Sequence, residues 1–553
     1  MCQGRPPSAG AAAPAAAPAA APAARSGMMG TMGAAAVGAV AGGMAGSALA
    51  NATAPSEKEK KQSLIIRHQK KKAAAACLLA LLAAGALPSA HAAPSVAAVA
   101  WQSCQAPAFK GWFSKEAPAA RGLECAVLAV PLSYQPQEAA HQREVKLALT
   151  RQRAKNSRGA LLFIAGGPGQ AGINPLASKS AATQQLLSEY DLIGYSPRGV
   201  APSLPTIACP APDKNAQVYE GKSFVESCVK HMGEDTLKYM STRDAVEDVE
   251  SIRRALGNER LNLVSYSYGT KVAALYAQRY PAHVRSVVLD GVVDLAEDYT
   301  TQRLTQEQGY QHTFEQFAAW CAHNRPDCPL AAEPEAANRR MHALLAQLNA
   351  HPLTDKQGEA IDSDALIGLM STEILWQEGW PDLAQTLRDL QKGRTGSYNR
   401  LKYQSPMGEH EQDALTVISC ADAALQLPRE QELQRLRQID DASRFDNYRA
   451  KSDEELLEPC SYWPHAGTDI VHTPKPDPSL PKLLFVAQTH DGTTPYRNAQ
   501  AMAAAFSGHL LTREGTGHTL VLNGLSECVD KQVADYLLDP AGFVAAQVCR
   551  ADD

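Results

Sequence analysis

The chain has 553 residues, too many for one small core, so about two structural units are expected beside any leader. A composition of 45% hydrophobic and 20% charged residues is globular and excludes a wholly disordered chain. Nine basic and two acidic residues precede position 93, so the whole-chain charge of −5 leaves about −12 for the remainder. Such an acidic protein is a poor ligand for nucleic acid or for anionic lipid.

The first 92 residues are interpreted as an extension followed by an export signal. Residues 1–60 are rich in Ala, Gly and Pro, could not pack a core and are expected to be disordered. Residues 61–92 hold a basic segment, an apolar run from Ala73 to Leu87 and an Ala-x-Ala pattern ending at Ala92. Because that run is shorter than the roughly 20 residues that span a bilayer, we expect a cleaved signal peptide rather than a membrane anchor. The protein is then periplasmic or extracellular.

Ten cysteines follow this leader, and an even number in an exported protein indicates disulfides. A metal site is the rival interpretation, but no Cys-x-x-Cys motif with a nearby pair of histidines supports it. The cysteines lie in close couples, so we expect sequential pairing and no metal ion: Cys104 with Cys125, Cys209 with Cys228, Cys321 with Cys328, Cys420 with Cys460, and Cys528 with Cys549.

The strand patterns begin at residues 126–132 and 144–151, and Ala160–Ile164 is a continuous apolar run typical of a buried parallel strand. That run leads into Gly166-Gly167-Pro168-Gly169, which lacks the spacing of a phosphate-binding loop. A glycine-rich loop upstream of a nucleophile can instead turn a backbone N–H toward a developing oxyanion. A further strand is predicted over 190–195.

The segment Leu261–Thr270 is the centre of the pattern. Apolar residues run into a small-x-Ser-x-Gly turn around Ser267, and an Ala- and Leu-rich helix is predicted from Lys271 to Tyr280. A helix before it, from Ser241 to Gly257, is predicted from a capping signal and helical spacing of apolar residues. Strand, tight turn and helix in that order are the context of a nucleophile elbow, which exposes the serine hydroxyl at the carboxyl edge of a sheet.

After an apolar strand over 284–293, the strand pattern is interrupted. We therefore divide the core into 93–296 and 481–553, with a helical cap over 297–480 between them. Strands that alternate with helices on both sides of this insertion predict an α/β fold, with a mostly parallel sheet covered by helices on both faces.

A serine needs a base to take its proton, and the base needs a carboxylate behind it. In this architecture the order along the chain is Ser, acid, His, which Ser267, Asp491 and His518 satisfy. Asp290, at another strand end, is the alternative acid. The oxyanion donors would be the N–H of Tyr268 and one from the glycine loop, at Gly167 or Gly169.

Six motifs occur together and in order, and as a set they resemble the α/β-hydrolases related to tripeptidyl and prolyl aminopeptidases of bacteria. They are Gly166-Gly167-Pro168-Gly169, Asp191-x-Ile193-Gly194-x-x-Pro197-Arg198-Gly199-Val200, Ser265-Tyr266-Ser267-Tyr268-Gly269-Thr270, Val288-Leu289-Asp290-Gly291, Asp491-x-x-Thr494-Pro495 and Gly517-His518. The resemblance implies an α/β-hydrolase fold, an exported serine exopeptidase with a cap over the site, and Asp491 as the acid.

An aminopeptidase must hold the substrate's ammonium group, which calls for carboxylates near the boundary of cap and sheet. The candidates in the cap are Glu373, Glu378, Asp382 and Asp422. A closed cap would admit short peptides or small esters rather than folded proteins, and no cofactor is needed. The expected function is therefore an aminopeptidase that releases one to three residues through an acyl-enzyme, with a carboxylesterase of the same triad as the alternative.

Overall fold

A computed structural model describes residues 98–113, 122–173, 180–210, 221–404, 410–468, 473–545 and 548–550. The predicted extension at 1–60 and the predicted signal peptide at 61–92 lie outside these residues.

The described residues contain a central sheet and a small separate hairpin. The strands are β1 (Gln102–Ser103), β2 (Glu124–Pro131), β3 (Glu144–Gln152), β4 (Ala160–Ile164), β5 (Asp191–Ser196), β6 (Leu261–Tyr266), β7 (Val284–Asp290), β8 (Leu353–Thr354), β9 (Ala360–Ile361), β10 (Leu484–His490), β11 (His509–Thr516) and β12 (Val548–Cys549). The sheet has 10 strands in the order β1-β2-β3-β5-β4-β6-β7-β10-β11-β12, and β8 pairs with β9. Strands β5, β4, β6, β7, β10, β11 and β12 run parallel, which confirms the expected mostly parallel sheet.

The α-helices are α1 (Ala181–Glu189), α2 (Gly221–Met232), α3 (Glu234–Lys238), α4 (Thr242–Ala255), α5 (Tyr268–Arg279), α6 (Tyr299–Asn324), α7 (Pro334–Ala350), α8 (Ser363–Glu373), α9 (Trp380–Gln391), α10 (Gly396–Gln404), α11 (Glu411–Ala423), α12 (Arg429–Asp440), α13 (Asp453–Leu456), α14 (Tyr496–Ala505) and α15 (Glu527–Leu538). Helices α4 and α5 are in contact, and α1 contacts α15. No described helix is both long enough and apolar enough to cross a membrane.

Successive residues of the buried strands face opposite sides of the sheet, as the two-residue period of a strand requires. On β4 and β6, Leu162 and Leu263 pack in one apolar cluster, together with residues of α4, α5 and α14. Leu161 and Val264 pack in another, together with residues of α1 and α15. Both faces of the sheet are therefore covered, which is why these strands are continuous apolar runs in the sequence.

The segment between β7 and β10 contains three packing environments, of which the smallest is an apolar cluster of α12 and α13 that includes Leu436 and Leu456. Residues from α6 to α10 form an apolar cluster of their own, which includes Phe314 and Leu387. Helix α11 differs, because its Val417 and Ile418 belong to the same cluster as the sheet. The described part of this segment therefore has an outer helical layer, a small α12–α13 cluster, and helix α11, which is integrated into the core.

The cysteines are joined in the five sequential pairs that the sequence analysis expected. One of these, Cys420–Cys460, ties α11 to a short 3-10 helix at Pro459–Tyr462.

Register brings the predicted functional residues to one edge of the sheet. The last residue of β6, Tyr266, is level with Asp290 on β7, and Asp290 is level with Val486 on β10. On the next pair, His490 is level with Thr516 of β11. Because the carboxyl ends of parallel strands meet at the same edge, the residues that follow these strands lie close together.

Candidate active site

Ser267 occupies the turn between β6 and α5. Its φ of 51° lies in the left-handed region, which is uncommon and strained for a residue with a Cβ. The Ser267 N–H donates to the carbonyl oxygen of Asp290 at 2.8 Å, which fixes the turn to the end of β7. The strained turn and its exit into a helix match the geometry that the small-x-Ser-x-Gly motif predicts.

The small residues on either side of the serine have separate reasons to be small. A Cβ on Gly269 would lie 2.6 Å from the carbonyl oxygens of both Ile164 and Ala165, so strand and helix backbones touch there. Ser265 is fully buried, and its hydroxyl donates to the Val288 carbonyl oxygen at 2.9 Å. A serine is therefore accommodated at this position because its hydroxyl has an acceptor.

We expect Gly269→Ala to lower the free energy of unfolding by about 3 kcal/mol, since its new methyl group meets two backbone oxygens that cannot move independently. Urea unfolding would measure the change. The control is Gly368→Ala in α8, where a Cβ would meet no atom within 4 Å and alanine should stabilise the helix by about 0.5–1 kcal/mol. Equal stability of the two variants would contradict the close approach at Gly269.

His518 and Asp491 form a buried pair. The Nδ1 of His518 lies 2.8 Å and 3.0 Å from the two carboxylate oxygens of Asp491, and the His518 side chain is fully buried. The backbone N–H groups of Thr493 and Thr494 donate to Asp491 Oδ1, both at 2.8 Å, and the Thr494 hydroxyl donates to Oδ2 at 2.9 Å. These hydrogen bonds fix the orientation of the Asp491 carboxylate.

This pairing sets the tautomer of the imidazole. With Asp491 accepting at Nδ1, that nitrogen carries the proton and Nε2 presents its lone pair. His518 Nε2 is buried and has no hydrogen-bond partner among the described residues. An imidazole with its lone pair at Nε2 has the form that a general base needs to accept a serine proton and return it to a leaving group.

Ser267 and His518 lie on two sides of the same peptide at the end of β7. Ser267 N–H binds the carbonyl oxygen of Asp290, while a Cβ on Gly291 would come within 2.9 Å of His518 Cε1. Because Gly291 has no side chain, the His518 imidazole fits beside it.

Asp290, the alternative acid, contacts the histidine loop rather than the imidazole. Its Oδ2 accepts the backbone N–H groups of Leu520 and Val521 at 2.6 Å and 2.7 Å. Thr519 between them and His518 has a φ of 56°, an outlier for a β-branched residue. Burial raises the pKa of Asp290 to about 7, against the two N–H donors, which lower it. Asp290 thus holds the loop that carries His518, while Asp491 holds the ring.

The oxyanion-hole candidates surround the serine. Tyr268 begins α5, where the first N–H groups of a helix have no partner within the helix. Across the turn, the sequence singled out Gly167 and Gly169, and both have a φ of 102°. Gly166, which belongs to the same loop but was not chosen as a donor, closely approaches the serine: a Cβ there would lie 3.1 Å from Ser267 Cβ. The absence of a side chain at Gly166 lets the loop approach the nucleophile.

The four carboxylates proposed to bind an ammonium group lie in different environments. Glu373 is half-buried at the end of α8, and Glu378 is exposed. Asp382 is 53% exposed and lies 3.8 Å from the Arg400 guanidinium. Asp422 is buried and accepts hydrogen bonds from Thr242 and Thr468, so protein groups already occupy its oxygens.

Sequence reasoning missed Glu307, a half-buried carboxylate on α6. Gly309, two residues later, packs on the backbone of Gly492, in the turn that follows Asp491. This contact leaves no room for a Cβ at Gly309. Burial raises the pKa of Glu307 to about 7, and Arg303 opposes this. The sequence did contain a signal for this residue. Tyr310, Phe314 and Phe317 form an apolar helical stripe, and the two preceding positions of that stripe are charged, Arg303 and Glu307.

Comparisons with known proteins identify the family of this fold. The chain matches the family described as alpha/beta hydrolase fold over residues 159–525. It is 31% identical to Serine protease Hip1 of Mycobacterium tuberculosis, over 75% of this chain and 85% of the relative. It is 30% identical to Carboxylesterase B of the same species, over 79% and 87%. It is 26% identical to Tripeptidyl aminopeptidase of Streptomyces coelicolor, over 75% and 81%. With this match across most of its length, and with a strained serine and a buried His–Asp pair at one sheet edge, the chain belongs to the α/β-hydrolase family.

Proposed function

We propose that this serine hydrolase is an exported aminopeptidase that releases one to three residues from peptide N-termini. In this proposal Ser267 attacks the scissile carbonyl, His518 moves the proton, Asp491 fixes the imidazole, and the N–H groups of Tyr268 and the glycine loop receive the oxyanion. Five disulfides support export, because such bonds persist in oxidising compartments.

The observation that carries the peptidase assignment is an excess of negative charge beneath the outer cap. The cap cluster is defined as a set of charged side chains that form ion pairs or influence one another by charge: Arg303, Glu307, Glu432, Arg435, Asp440, Asp446, Lys451 and Glu458. Five carboxylates there face three basic groups. Two negative charges are left without a partner when all are ionised, and a substrate ammonium group would neutralise one of them.

Glu307 is the member of the cap cluster best placed for this role. Its side chain is 20% exposed, and its oxygen lies 3.3 Å from the Arg303 guanidinium, which is shared with Glu458. Gly309 brings this turn of α6 onto the loop that holds Asp491. An ammonium group bound at Glu307 would hold a peptide by its first residue.

The test is a panel of unblocked and N-acetylated peptidyl amides with p-nitrophenyl esters, assayed on the purified protein. We expect kcat/KM for free peptides to exceed that for acetylated ones by about 10-fold or more, since a buried charge pair is lost on acetylation. Equal cleavage of blocked and free peptides, or cleavage of esters alone, would contradict the aminopeptidase proposal.

We expect Glu307→Gln to lower kcat/KM for free peptides by about 10-fold and to leave acetylated peptides within about 2-fold, because only the free amine needs the charge. Since the pKa of Glu307 is about 7, the preference for free peptides should rise as the pH increases through 7 in the parent and stay flat in the variant. The control is Glu335→Gln, an exposed carboxylate on α7 paired with Arg444, which should change kcat/KM for neither free nor acetylated peptides.

A carboxylesterase is the second candidate, because a relative of similar identity has the name Carboxylesterase B. The triad alone does not choose between ester and amide, since the acyl-enzyme chemistry is the same. If the protein is a carboxylesterase, Glu307→Gln should leave kcat/KM for its best ester substrates unchanged.

A further inference from the structure

Helix α11 contacts both sides of the candidate oxyanion hole. We propose that α11 positions the two backbone donors of this hole, and that Asp422 is a positioning residue for Tyr268. This inference rests on the proposed function only for the acyl chemistry at Ser267, and it holds equally for amide and ester substrates.

The first contact is with the glycine loop. A Cβ on Gly169 would lie 2.8 Å from the Leu415 backbone nitrogen and 2.9 Å from the Glu411 carbonyl oxygen. The loop backbone thus lies directly on the first turn of α11, with no side chain between them. Any shift of this turn would displace the loop that supplies one oxyanion donor.

The second contact reaches the residue after the nucleophile. Asp422, at the other end of α11, accepts the Thr242 N–H at 2.8 Å and also the Thr242 hydroxyl. The Thr242 hydroxyl lies 2.6 Å from the Tyr268 hydroxyl. Because the single proton of Thr242 Oγ1 is directed to Asp422, the Tyr268 hydroxyl donates to Thr242. Asp422 therefore holds the Tyr268 side chain through one threonine.

The network is buried and charged. Asp422, Thr242 and Lys271 are 5%, 1% and 8% exposed, and Lys271 Nζ lies 3.9 Å from Asp422 Oδ2. Burial raises the pKa of Tyr268 well above its usual value, and the Asp422 charge adds to this, so the phenol keeps its proton. Tyr268 and Lys271 both lie in the first turn of α5, the turn whose N–H groups face the oxyanion.

The helix itself is fixed to the core. Val417 and Ile418 pack in the core cluster, the Cys420–Cys460 bond holds the last turn, and Asp413 accepts the Cys209 N–H at 2.8 Å. A shift of α11 would therefore displace Gly169, which its backbone contacts, and Tyr268, which it holds through Thr242. Donors placed for the oxyanion act on the transition state rather than on bound substrate, so a loss of position lowers kcat with little change in KM.

We expect Asp422→Asn to lower kcat by about 10-fold or more with KM within about 2-fold, on whichever substrate the parent turns over fastest. Thr242→Val, which keeps the Asp422 charge beside Lys271, and Tyr268→Phe, which keeps the N–H, should lower kcat in the same way. The Asp422→Asn/Tyr268→Phe double variant should be no slower than Asp422→Asn alone, because both changes break one chain of contacts. Affinity for a peptidyl boronic acid, which mimics the tetrahedral state, should fall by the same factor as kcat.

The control is Asp389→Asn, a buried cap carboxylate on α9 that accepts from Ser397 and Gln385 and should leave kcat unchanged. Wild-type kcat and boronate affinity in both Asp422→Asn and Thr242→Val would overturn the proposal. Additive losses in the double variant would also overturn it, since they would mean independent structural effects. Failure of the aminopeptidase assignment would show differently, as equal cleavage of free and blocked substrates by the unaltered protein.

Discussion

Ser267→Ala is expected to lower kcat by about 10⁴-fold or more on every substrate, because the proposed acyl-enzyme forms on the hydroxyl that this substitution removes. Steady-state assays and labelling with a fluorophosphonate probe would measure the loss. The substitution keeps a Cβ, so the φ of 51° stays strained and the thermal midpoint should change little.

Ser267→Gly makes the matched comparison. It removes the same hydroxyl and also the Cβ, so it should be inactive but more stable than the parent by about 1 kcal/mol. Turnover that survives either substitution would exclude Ser267 as the nucleophile. A stability unchanged by glycine would mean that the turn carries no strain.

Asp491→Asn is expected to lower kcat by about 10³- to 10⁴-fold, because an amide at Nδ1 no longer stabilises the imidazolium and can select the wrong tautomer. Asp290→Asn separates the two candidate acids. Asparagine can still accept the Leu520 and Val521 N–H groups through its oxygen, so we expect at most about a 10-fold loss of kcat. A larger loss at Asp290 than at Asp491 would contradict the geometry at His518.

The stability of the two Asp variants should also differ with pH. In the unfolded chain an Asp titrates near 3.9, and burial raises the pKa of Asp290 to about 7 in the folded protein. The contribution of this group to stability is therefore complete below about pH 4 and is lost as the pH rises to about 7. Asp290→Asn should remove that slope from the free energy of unfolding, which urea titrations at several pH values would measure.

Much of the site could be predicted because its signals are local. The turn at Ser267 needs small neighbours within two residues, and Gly269 is one of them because two strand carbonyls touch the position of its Cβ. The buried strands are apolar runs because both faces of the sheet are covered. The disulfides follow the spacing along the chain, since each cysteine pairs with its nearest neighbour.

What the sequence could not decide depends on contacts between distant segments. Asp290 and Asp491 both follow strands at one edge of the sheet, and only the packing shows which carboxylate meets the His518 ring. Asp422 is a carboxylate and could in principle bind an ammonium group. In the structure it instead accepts a hydrogen bond from Thr242, 180 residues earlier. Glu307 was missed because the role of a charged residue on an otherwise apolar helix face depends on which distant segment packs against that helix. Here that segment is the turn after Asp491, which packs on Gly309.

The sequence by itself predicted Ser267 as the nucleophile and determined the alternation of strands and helices, because both signals lie within a few residues of one another. Tertiary structure alone decided which acid orients the histidine, which carboxylates remain open to a ligand and that α11 belongs to the core. Those features depend on burial and on hydrogen-bond partners from remote segments. The role of a carboxylate depends on whether its oxygens already accept hydrogen bonds from the protein.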